Sequence, residues 1–279
     1  KYLIVFNSFS CSIEEKKNMK YPKTNKENII DIYHNKKIND PYRWLENDYS
    51  EETQSWVKEQ NKFTDAYLSQ IPFKNKIKKK LMSIWNYPIE SMPIIKNEVQ
   101  FYYHNNGLQN QSILYKKNKN KKIDSVVIDP NKLSKDGSKA LGGIYFSNDT
   151  KYLGYSLNIS GSDWQELNII KLEDGSIISD DLKWVKFSGM EWFKEGFFYK
   201  KYPEKTEENI LKGINRNSKI YYHKLKTPQK EDLEVETLFD SEYISPWVSV
   251  SEDEELMFLY GSKGTYGNSL YFNKTSLNN

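Results

Sequence analysis

The sequence predicts a mainly β fold, in which about three and a half blades of a β-propeller follow an α-helical lead-in. Three observations predict it. Aromatic residues, which favour strands, make up 15% of the 279-residue chain, with 21 Tyr, 13 Phe and 7 Trp. A strand–turn–strand pattern recurs along the larger, later part of the chain. The earlier part instead carries apolar residues at helical spacing.

Two helices are predicted in the lead-in. After a polar segment at 21–41 that is expected to be irregular, Asp48 or Ser50 can cap a first helix, and Ile71-Pro72 ends it. A second helix follows and ends before Pro88. The predicted packing faces comprise Trp56, Gln60, Phe63, Tyr67 and Leu68 in the first helix and Phe73, Ile77, Leu81, Ile84 and Trp85 in the second.

The strand pattern repeats as hairpins, whose last residues before the turn are Ser147, Trp192 and Ser251, spaced 45 and 59 residues apart. Each hairpin leads into further strand-like segments, and an earlier copy begins near Gln100. Repeats of about 40–55 residues with four short strands are typical of propeller blades. Three blades and the start of a fourth cannot close a ring, and their open edges would invite aggregation. We therefore expect the chain to be the front part of a larger protein.

The net charge of the chain does little to narrow its possible binding partners, because 41 Lys and Arg residues nearly balance 38 Asp and Glu residues. The lysine-rich run at 116–122 can be interpreted as a nucleic-acid patch or as a solvated hairpin loop. It lies between two strand-like segments and contains no aromatic residue. The loop is therefore the favoured interpretation, and no nucleic-acid partner is expected.

The first twenty residues have the order of a bacterial lipoprotein signal. A basic first residue, the apolar run 2–6 and small residues precede Cys11, the single cysteine of the chain. This predicts a periplasmic or cell-envelope protein with a lipid on Cys11 that anchors it to a membrane. The alternative is a disordered leader with an incidental cysteine, in which case a cytoplasmic protein is expected. A single cysteine also excludes a disulfide framework.

No complete catalytic or metal-binding motif is present in the sequence. It contains no Gly-x-Ser-x-Gly nucleophile motif, no phosphate-binding glycine loop and no histidine pair at metal-ligand spacing. The histidines His34, His104 and His223 are interpreted as surface or half-buried structural residues. No catalytic residue, metal ligand or cofactor is therefore predicted in this chain. The loop with Asp163 and Trp164 is interpreted as a tight turn, with Trp164 packed between blades.

A series of literal phrases runs in order through the chain from about Tyr21 to its end. They are DPYRWLE at 40–46, ETQSWVKEQN at 52–61, WNYP at 85–88, NGLQNQ at 106–111, DPNKLS at 129–134, SGSDW at 160–164, VKFSG at 185–189, YPE at 202–204 and YYHKL at 221–225. With these phrases the chain resembles the N-terminal portion of the prolyl oligopeptidase family, particularly its bacterial members.

The resemblance implies a serine endopeptidase that cleaves after proline in short peptides and needs no metal or cofactor. Family members join an α/β-hydrolase domain to a seven-bladed propeller that caps it. After the leader at 1–20, the implied domains are a helical segment at 21–86 that packs on the hydrolase domain and an incomplete propeller at 87–279. The catalytic Ser, Asp and His belong to a hydrolase segment that this sequence does not contain, so the chain alone should be inactive.

Two site residues are carried over by the resemblance. Phe187 matches an aromatic residue that lines the substrate cavity beyond the proline pocket, the alternative being that it belongs to the blade core. Asp163 matches a residue that faces the hydrolase domain, the alternative being a structural turn residue. Where family members can carry an interfacial Arg, this chain reads Ala140-Leu-Gly-Gly143, so any contact made by that Arg should be absent.

The implied partners are short proline-containing peptides and the hydrolase domain of the same full-length chain. Two other interpretations remain open. The chain can be a stand-alone half-propeller that serves as a binding module without catalytic activity, or a decayed gene copy without function.

Overall fold

The computed structural model describes residues 20–118, 122–206, 213–235, 239 and 241–275. Within them the chain forms two α-helices, three short 3-10 helices and eighteen strands. By its internal contacts the chain divides after Leu81 into two compact units. The boundary at residue 86 stays a prediction, and Cys11 lies outside the described residues.

The first unit contains a β-hairpin in a segment that was expected to be irregular. Strands β1 (Ile30–Tyr33) and β2 (Lys36–Asn39) pair antiparallel. The turn residues His34 and Asn35 have positive φ angles of 49° and 63°, as both central residues of a type I′ hairpin turn require. The expectation was therefore wrong at 30–39, because two four-residue strands carry too short an alternation to stand out in the sequence.

Both predicted helices are present, as α1 (Glu51–Ser69) and α2 (Lys74–Trp85). The Oγ of Ser50 accepts a hydrogen bond from the Thr53 backbone N–H at 3.2 Å, which makes Ser50 the N-cap of α1. A 3-10 turn at Arg43–Glu46 precedes α1. Neither α-helix among the described residues has the length and apolar character needed to cross a bilayer.

The predicted packing face of α2 is exposed in this chain. Phe73 is 59% exposed and Trp85 is 66% exposed. The other members of the face are exposed to a similar degree, namely Ile77, Leu81 and Ile84. A contiguous apolar stripe of this kind is typical of a surface that another part of a protein covers.

The described strands of the second unit form three antiparallel sheets, of five, eight and three strands. The eight-stranded sheet contains two successive groups of four strands, so we describe the unit as four blades in chain order, blades 1 to 4. Blade 1 contains β3 (Ile89–Glu90), β4 (Ile94–Lys96), β5 (Val99–Asn105), β6 (Ile113–Lys116) and β7 (Ser125–Ile128). Blade 2 contains β8 (Lys139–Phe146), β9 (Tyr152–Ile159), β10 (Trp164–Lys171) and β11 (Ile177–Lys186). Blade 3 contains β12 (Glu191–Phe193), β13 (Gly196–Lys201), β14 (Lys219–Lys224) and β15 (Leu233–Glu234). Blade 4 contains β16 (Ile244–Val250), β17 (Leu256–Lys263) and β18 (Tyr266–Lys274).

The blades match the predicted three blades and part of a fourth, with two differences. In blade 1, β3 and β4 both pair with β5 and lie in a segment where the sequence analysis predicts no strand. Between blades 2 and 3, one residue pair, Val185 and Lys201, joins β11 to β13. The mainly β, partial-propeller fold class is confirmed.

The hairpin turns of blades 2 and 4 are built in the same way. In blade 2 the Oγ of Ser147 donates to Asp149 at 2.8 Å and accepts from the Tyr152 backbone N–H at 2.9 Å. In blade 4 the Oγ of Ser251 donates to Asp253 at 2.5 Å and likewise accepts from a backbone N–H five residues later. A hydroxyl followed two residues later by a carboxylate therefore specifies these turns.

Successive blades pack on one another through three clusters of buried apolar side chains. The cluster between blades 1 and 2 contains Phe101, Leu114, Ile128, Leu153, Tyr155, Leu157 and Ile170. The cluster between blades 2 and 3 contains Leu167, Ile169, Leu182, Val185, Met190, Trp192, Phe197 and Tyr199. The cluster between blades 3 and 4 contains Phe193, Phe198, Ile220, Tyr222 and Leu259. Burying a large apolar side chain contributes about 1.5–3 kcal/mol, so these interfaces are the main source of stability in the second unit.

Shortening a side chain in the interface between blades 1 and 2 should destabilise the fold. Leu153→Ala removes methyl groups from a fully buried site, and we expect the free energy of unfolding to fall by about 2–5 kcal/mol in urea denaturation. The matched control is Leu233→Ala, because Leu233 also lies on a strand but is 52% exposed. Its effect should be about 0.5 kcal/mol or less. Equal effects of the two substitutions would contradict this assignment of the core.

Candidate functional site

A cavity of about 110 Å³ lies where blades 2, 3 and 4 meet. Blade 2 contributes Tyr145 from β8, and blade 4 contributes Trp247 from β16. The segment between β11 and β12, including Phe187, forms another part of the wall together with Lys200 of β13. The cavity thus combines aromatic walls with a small number of polar groups, which is the usual character of a ligand site.

Phe187 follows β11 directly and is held in an unusual backbone conformation. Its φ is +50°, in the left-handed region that bulky residues seldom occupy. Its side chain lines the cavity and is 56% exposed. Phe187 is therefore not part of the buried blade core, which was the alternative to a cavity-lining role. Contact with a substrate stays a prediction.

Lys200 is a buried residue of this cavity that sequence reasoning missed. It is 7% exposed, and its Nζ donates a hydrogen bond to the Oγ of Ser245 at 2.9 Å. Burial lowers the pKa of Lys200 to about 8. The signal in the sequence is its spacing from Phe198 on β13, because residues two apart on a strand share a face.

Glu191 of β12 supplies a carboxylate to the same cavity. Its Oε1 accepts a hydrogen bond from the Val250 backbone N–H at 2.7 Å, which ties β12 to β16. Burial raises the pKa of Glu191 above its ordinary value. The cavity wall therefore contains one cationic and one anionic side chain, each bonded to a neutral group of blade 4.

Asp163 and Phe187, the two residues singled out by the resemblance, are brought together by Lys186. The Nζ of Lys186 lies 3.5 Å from Asp163 Oδ2 and 5.1 Å from the centre of the Phe187 ring. It also lies 5.2 Å from the ring centre of Trp164. Asp163 is exposed and is thus accessible to a partner, and its contact with a hydrolase domain stays a prediction.

Trp164 packs as predicted, between blades. Its ring lies 5.7 Å from that of Trp184 in blade 2 and 6.2 Å from that of Tyr202, which follows the second strand of blade 3. Both contacts are edge-to-face, a favourable arrangement for aromatic pairs.

The segment Ala140-Leu-Gly-Gly143 forms an irregularity in β8, where its register against β9 shifts between Leu141 and Ile144. A Cβ at position 142 would lie 2.5 Å from the Oγ of Ser156. At that distance the Ser156 hydroxyl would have to shift to admit a side chain at position 142, so the close approach of β9 favours glycine here.

His223 is a structural histidine, but it is fully buried, whereas a surface or half-buried position was expected. Its Nδ1 lies 2.7 Å from Asp232 and its Nε2 lies 3.1 Å from Asp180. The hydroxyl of Tyr199 donates to Asp232 at 2.6 Å. Burial opposes the charged form of His223, but the hydrogen bonds to the two carboxylates outweigh it and raise its pKa. The expectation was wrong because burial of His223 depends on packing between strands, and one partner, Asp180 of β11, lies 43 residues away in the sequence.

The other two histidines have different surroundings. His34 lies in the β1–β2 turn, and His104 of β5 lies with its Nδ1 3.8 Å from a carboxylate oxygen of Glu90. Within the part of the chain that the structure describes, no group of three or more His, Cys, Asp or Glu residues is arranged to hold a metal ion.

Comparison with known proteins relates the chain to peptidases. Residues 21–278 match the model of the prolyl oligopeptidase N-terminal β-propeller domain. The chain is 40% identical over 265 residues to a prolyl endopeptidase of Elizabethkingia miricola, covering 94% of this chain and 37% of that protein. It is 39% identical over 256 residues to the prolyl endopeptidase of Elizabethkingia meningoseptica, covering 91% of this chain and 36% of that protein.

A solved structure is similar over the same extent. Prolyl oligopeptidase B from Galerina marginata, bound to a 35-residue hydrolysis and macrocyclization substrate, is 28% identical to the chain with a TM-score of 0.75. The similarity covers 92% of this chain and 39% of that one. The chain thus spans well under half the length of the relatives that it matches.

The buried His223 site predicts a pH-dependent stability. Because the folded-state pKa of His223 lies above its ordinary value of 6.5, its stabilising charge is fully present below pH 6.5 and is lost as pH rises through the folded-state pKa. We expect His223→Gln to lower the free energy of unfolding by about 3–5 kcal/mol at pH 6 and by less at pH 9. Urea denaturation at both pH values measures this.

His104→Gln is the matched control, because the side chain of His104 is 34% exposed. Its effect should be small at both pH values. Lys200 titrates in wild type and variants alike, so its contribution cancels in the differences. A His223→Gln effect of the same size at pH 6 and pH 9 would contradict the charged, doubly bonded His223.

Proposed function

Because the chain belongs to the prolyl oligopeptidase family, whose N-terminal β-propeller domain it matches over residues 21–278, we propose that it forms the propeller part of a serine endopeptidase that cleaves short peptides after proline. The observation that carries this proposal is the 40% identity to a prolyl endopeptidase along 94% of the chain. The cavity lined by Phe187 adds support, because the resemblance implies a substrate-contacting aromatic residue at this position.

The proposed reaction is acyl transfer, in which a serine attacks the carbonyl carbon of the prolyl residue. A histidine takes the serine proton and later returns it to the leaving amine, while hydrogen-bond donors stabilise the oxyanion. The proposal assigns all of these groups to a hydrolase segment of the full-length protein. This chain contains no Gly-x-Ser-x-Gly motif, and its own histidines are a turn residue, a half-exposed residue and a buried structural residue.

The role proposed for this chain is to select and orient the peptide. The walls formed by Phe187 and Trp247 offer apolar contact, and the blades around the cavity limit what reaches it. In this proposal short peptides enter and folded proteins do not. The stand-alone binding module receives no support from the relatives, all three of which are peptidases by name.

We also propose that the lead-in packs on the hydrolase domain of the same full-length chain. The exposed face of α2, with Phe73 and Trp85 among its members, supports this, because large apolar side chains on one face of a helix favour a covered position. Asp163, exposed and paired with Lys186, is the proposed polar contact of the propeller with that domain.

For the location of the protein, we propose export to the bacterial cell envelope and anchoring through a lipid on Cys11. The support is the order of residues at the start of the chain, where a basic residue, the apolar run 2–6 and small residues precede the cysteine. Anchoring of a secreted peptidase would keep peptide cleavage at the cell surface.

The proposed division of labour is tested with chromogenic Gly-Pro substrate. The full-length protein should release the chromophore, and a serine-reactive inhibitor should abolish the release. The purified 279-residue chain should show no turnover above the buffer rate, because it lacks the nucleophile. Turnover by the chain alone, or none by the full-length protein, would contradict the proposal.

Lipidation is tested by palmitate labelling of the full-length protein in bacterial cells. The wild type should take up label and fractionate with membranes, whereas Cys11→Ser should remain unlabelled and soluble. Ser10→Ala is a suitable control, since it keeps a small residue before the cysteine and should be labelled. An unlabelled wild type would overturn the proposed anchor.

A further inference from the structure

Lys200 is the one lysine buried below a tenth of its surface among the residues that the structure describes. Lysine is almost never fully buried unless it is paired with an opposite charge. Its ammonium group instead donates a hydrogen bond to a neutral acceptor, the Oγ of Ser245, at 2.9 Å. No carboxylate of the described residues lies within 4 Å of it, in contrast to Lys186, which pairs with Asp163.

The ammonium group retains capacity for further hydrogen bonds. A lysine has three N–H donors, and Ser245 accepts one of them. The nearby carboxylate of Glu191 is engaged elsewhere, by the Val250 backbone N–H at 2.7 Å. Burial alone accounts for the lowered pKa of Lys200, at about 8. At pH 7 the charged form is therefore about tenfold more abundant than the neutral form.

The position of Lys200 connects this charge with the cavity. Lys200 and Phe187 line the same space, and Trp247 lies on the blade 4 side of it. The bond from Lys200 to Ser245 also crosses from blade 3 to blade 4, at the strand that carries Trp247. A peptide in contact with Phe187 would thus lie beside an ammonium group that lacks a counter-charge.

We propose that Lys200 is a specificity-determining residue, which favours peptide substrates that carry a carboxylate in the residues flanking the proline. The inference rests on the proposed function of the chain as part of a prolyl endopeptidase. The carboxylate supplies the missing counter-charge and accepts a charge-assisted hydrogen bond, which is stronger than a neutral one. A purely structural Lys200 would affect stability and would not affect the choice between charged and neutral peptides.

The test compares pairs of fluorogenic peptides that differ only by Asp or Asn, placed before the proline in one pair and after it in the other. The full-length protein is assayed at pH 7 and low ionic strength as wild type, Lys200→Met and Lys200→Arg. The matched control is Lys201→Met, because Lys201 neighbours Lys200 on β13 but contacts the ring of Tyr221, 4.2 Å from its centre.

We expect the wild type to show a kcat/KM about tenfold higher for the Asp peptide in at least one pair. Lys200→Met should bring this ratio close to one, whereas Lys200→Arg and Lys201→Met should keep it. A ratio near one in the wild type, or an unchanged ratio in Lys200→Met, would overturn the inference while peptide cleavage itself upholds the proposed function. Absence of cleavage of all peptides by the wild type would instead reject the proposed function, and the inference with it.

A second measurement does not depend on whether the Lys200→Met variant folds. In the wild type the preference for the Asp peptide should decline between pH 7 and pH 9, as Lys200 loses its proton, and it should persist in Lys200→Arg. Glu191, Tyr145 and Tyr199 are the other titratable groups around the cavity. They are the same in both proteins, so the comparison isolates position 200. A preference that is independent of pH in the wild type would overturn the inference.

Discussion

Packing of each blade against the next is the constraint on which the second unit depends. A four-stranded antiparallel sheet has two faces, and it becomes stable only when at least one face is covered. Here the faces are covered by large aromatic side chains, of which Phe101, Phe193 and Phe197 are almost completely buried. Part of the high aromatic content of the sequence thus serves to fill the space between neighbouring blades.

The same packing creates the candidate site. Three blades converge on the cavity, and Phe187 reaches it because the chain leaves β11 in a left-handed conformation. Buried polar groups then fix the blades to one another, since a buried charge or donor needs a partner. Glu191 bonds to Val250 and Lys200 bonds to Ser245, so that blades 3 and 4 are held together beside the site. The side chains that fix blades 3 and 4 to one another are therefore the same ones that supply the charged groups of the cavity.

Local patterns predicted both helices and the longer blade strands, whereas the short strands β1 to β4 and the residues that depend on distant partners were missed. Spacing and capping located α1 and α2, and the Ser147 and Ser251 turns were visible because their bonds span only a few residues. The resemblance pointed to Phe187 and Asp163, which Lys186 connects in space. The burial of His223 and Lys200 was not predictable, because it depends on which sheets pack against β13 and β14. The signal that the sequence carries for such positions is a lysine or histidine within a strand rich in aromatic residues.

The central claim is that the cavity formed by blades 2, 3 and 4 is a wall of the substrate site of a prolyl endopeptidase. It is tested most directly by a crystal structure of the full-length protein with an uncleaved proline-containing peptide. The account predicts density for the peptide in contact with Phe187 and within reach of the Lys200 ammonium group. A peptide bound elsewhere, with the cavity empty and the Phe187 ring untouched, would contradict it.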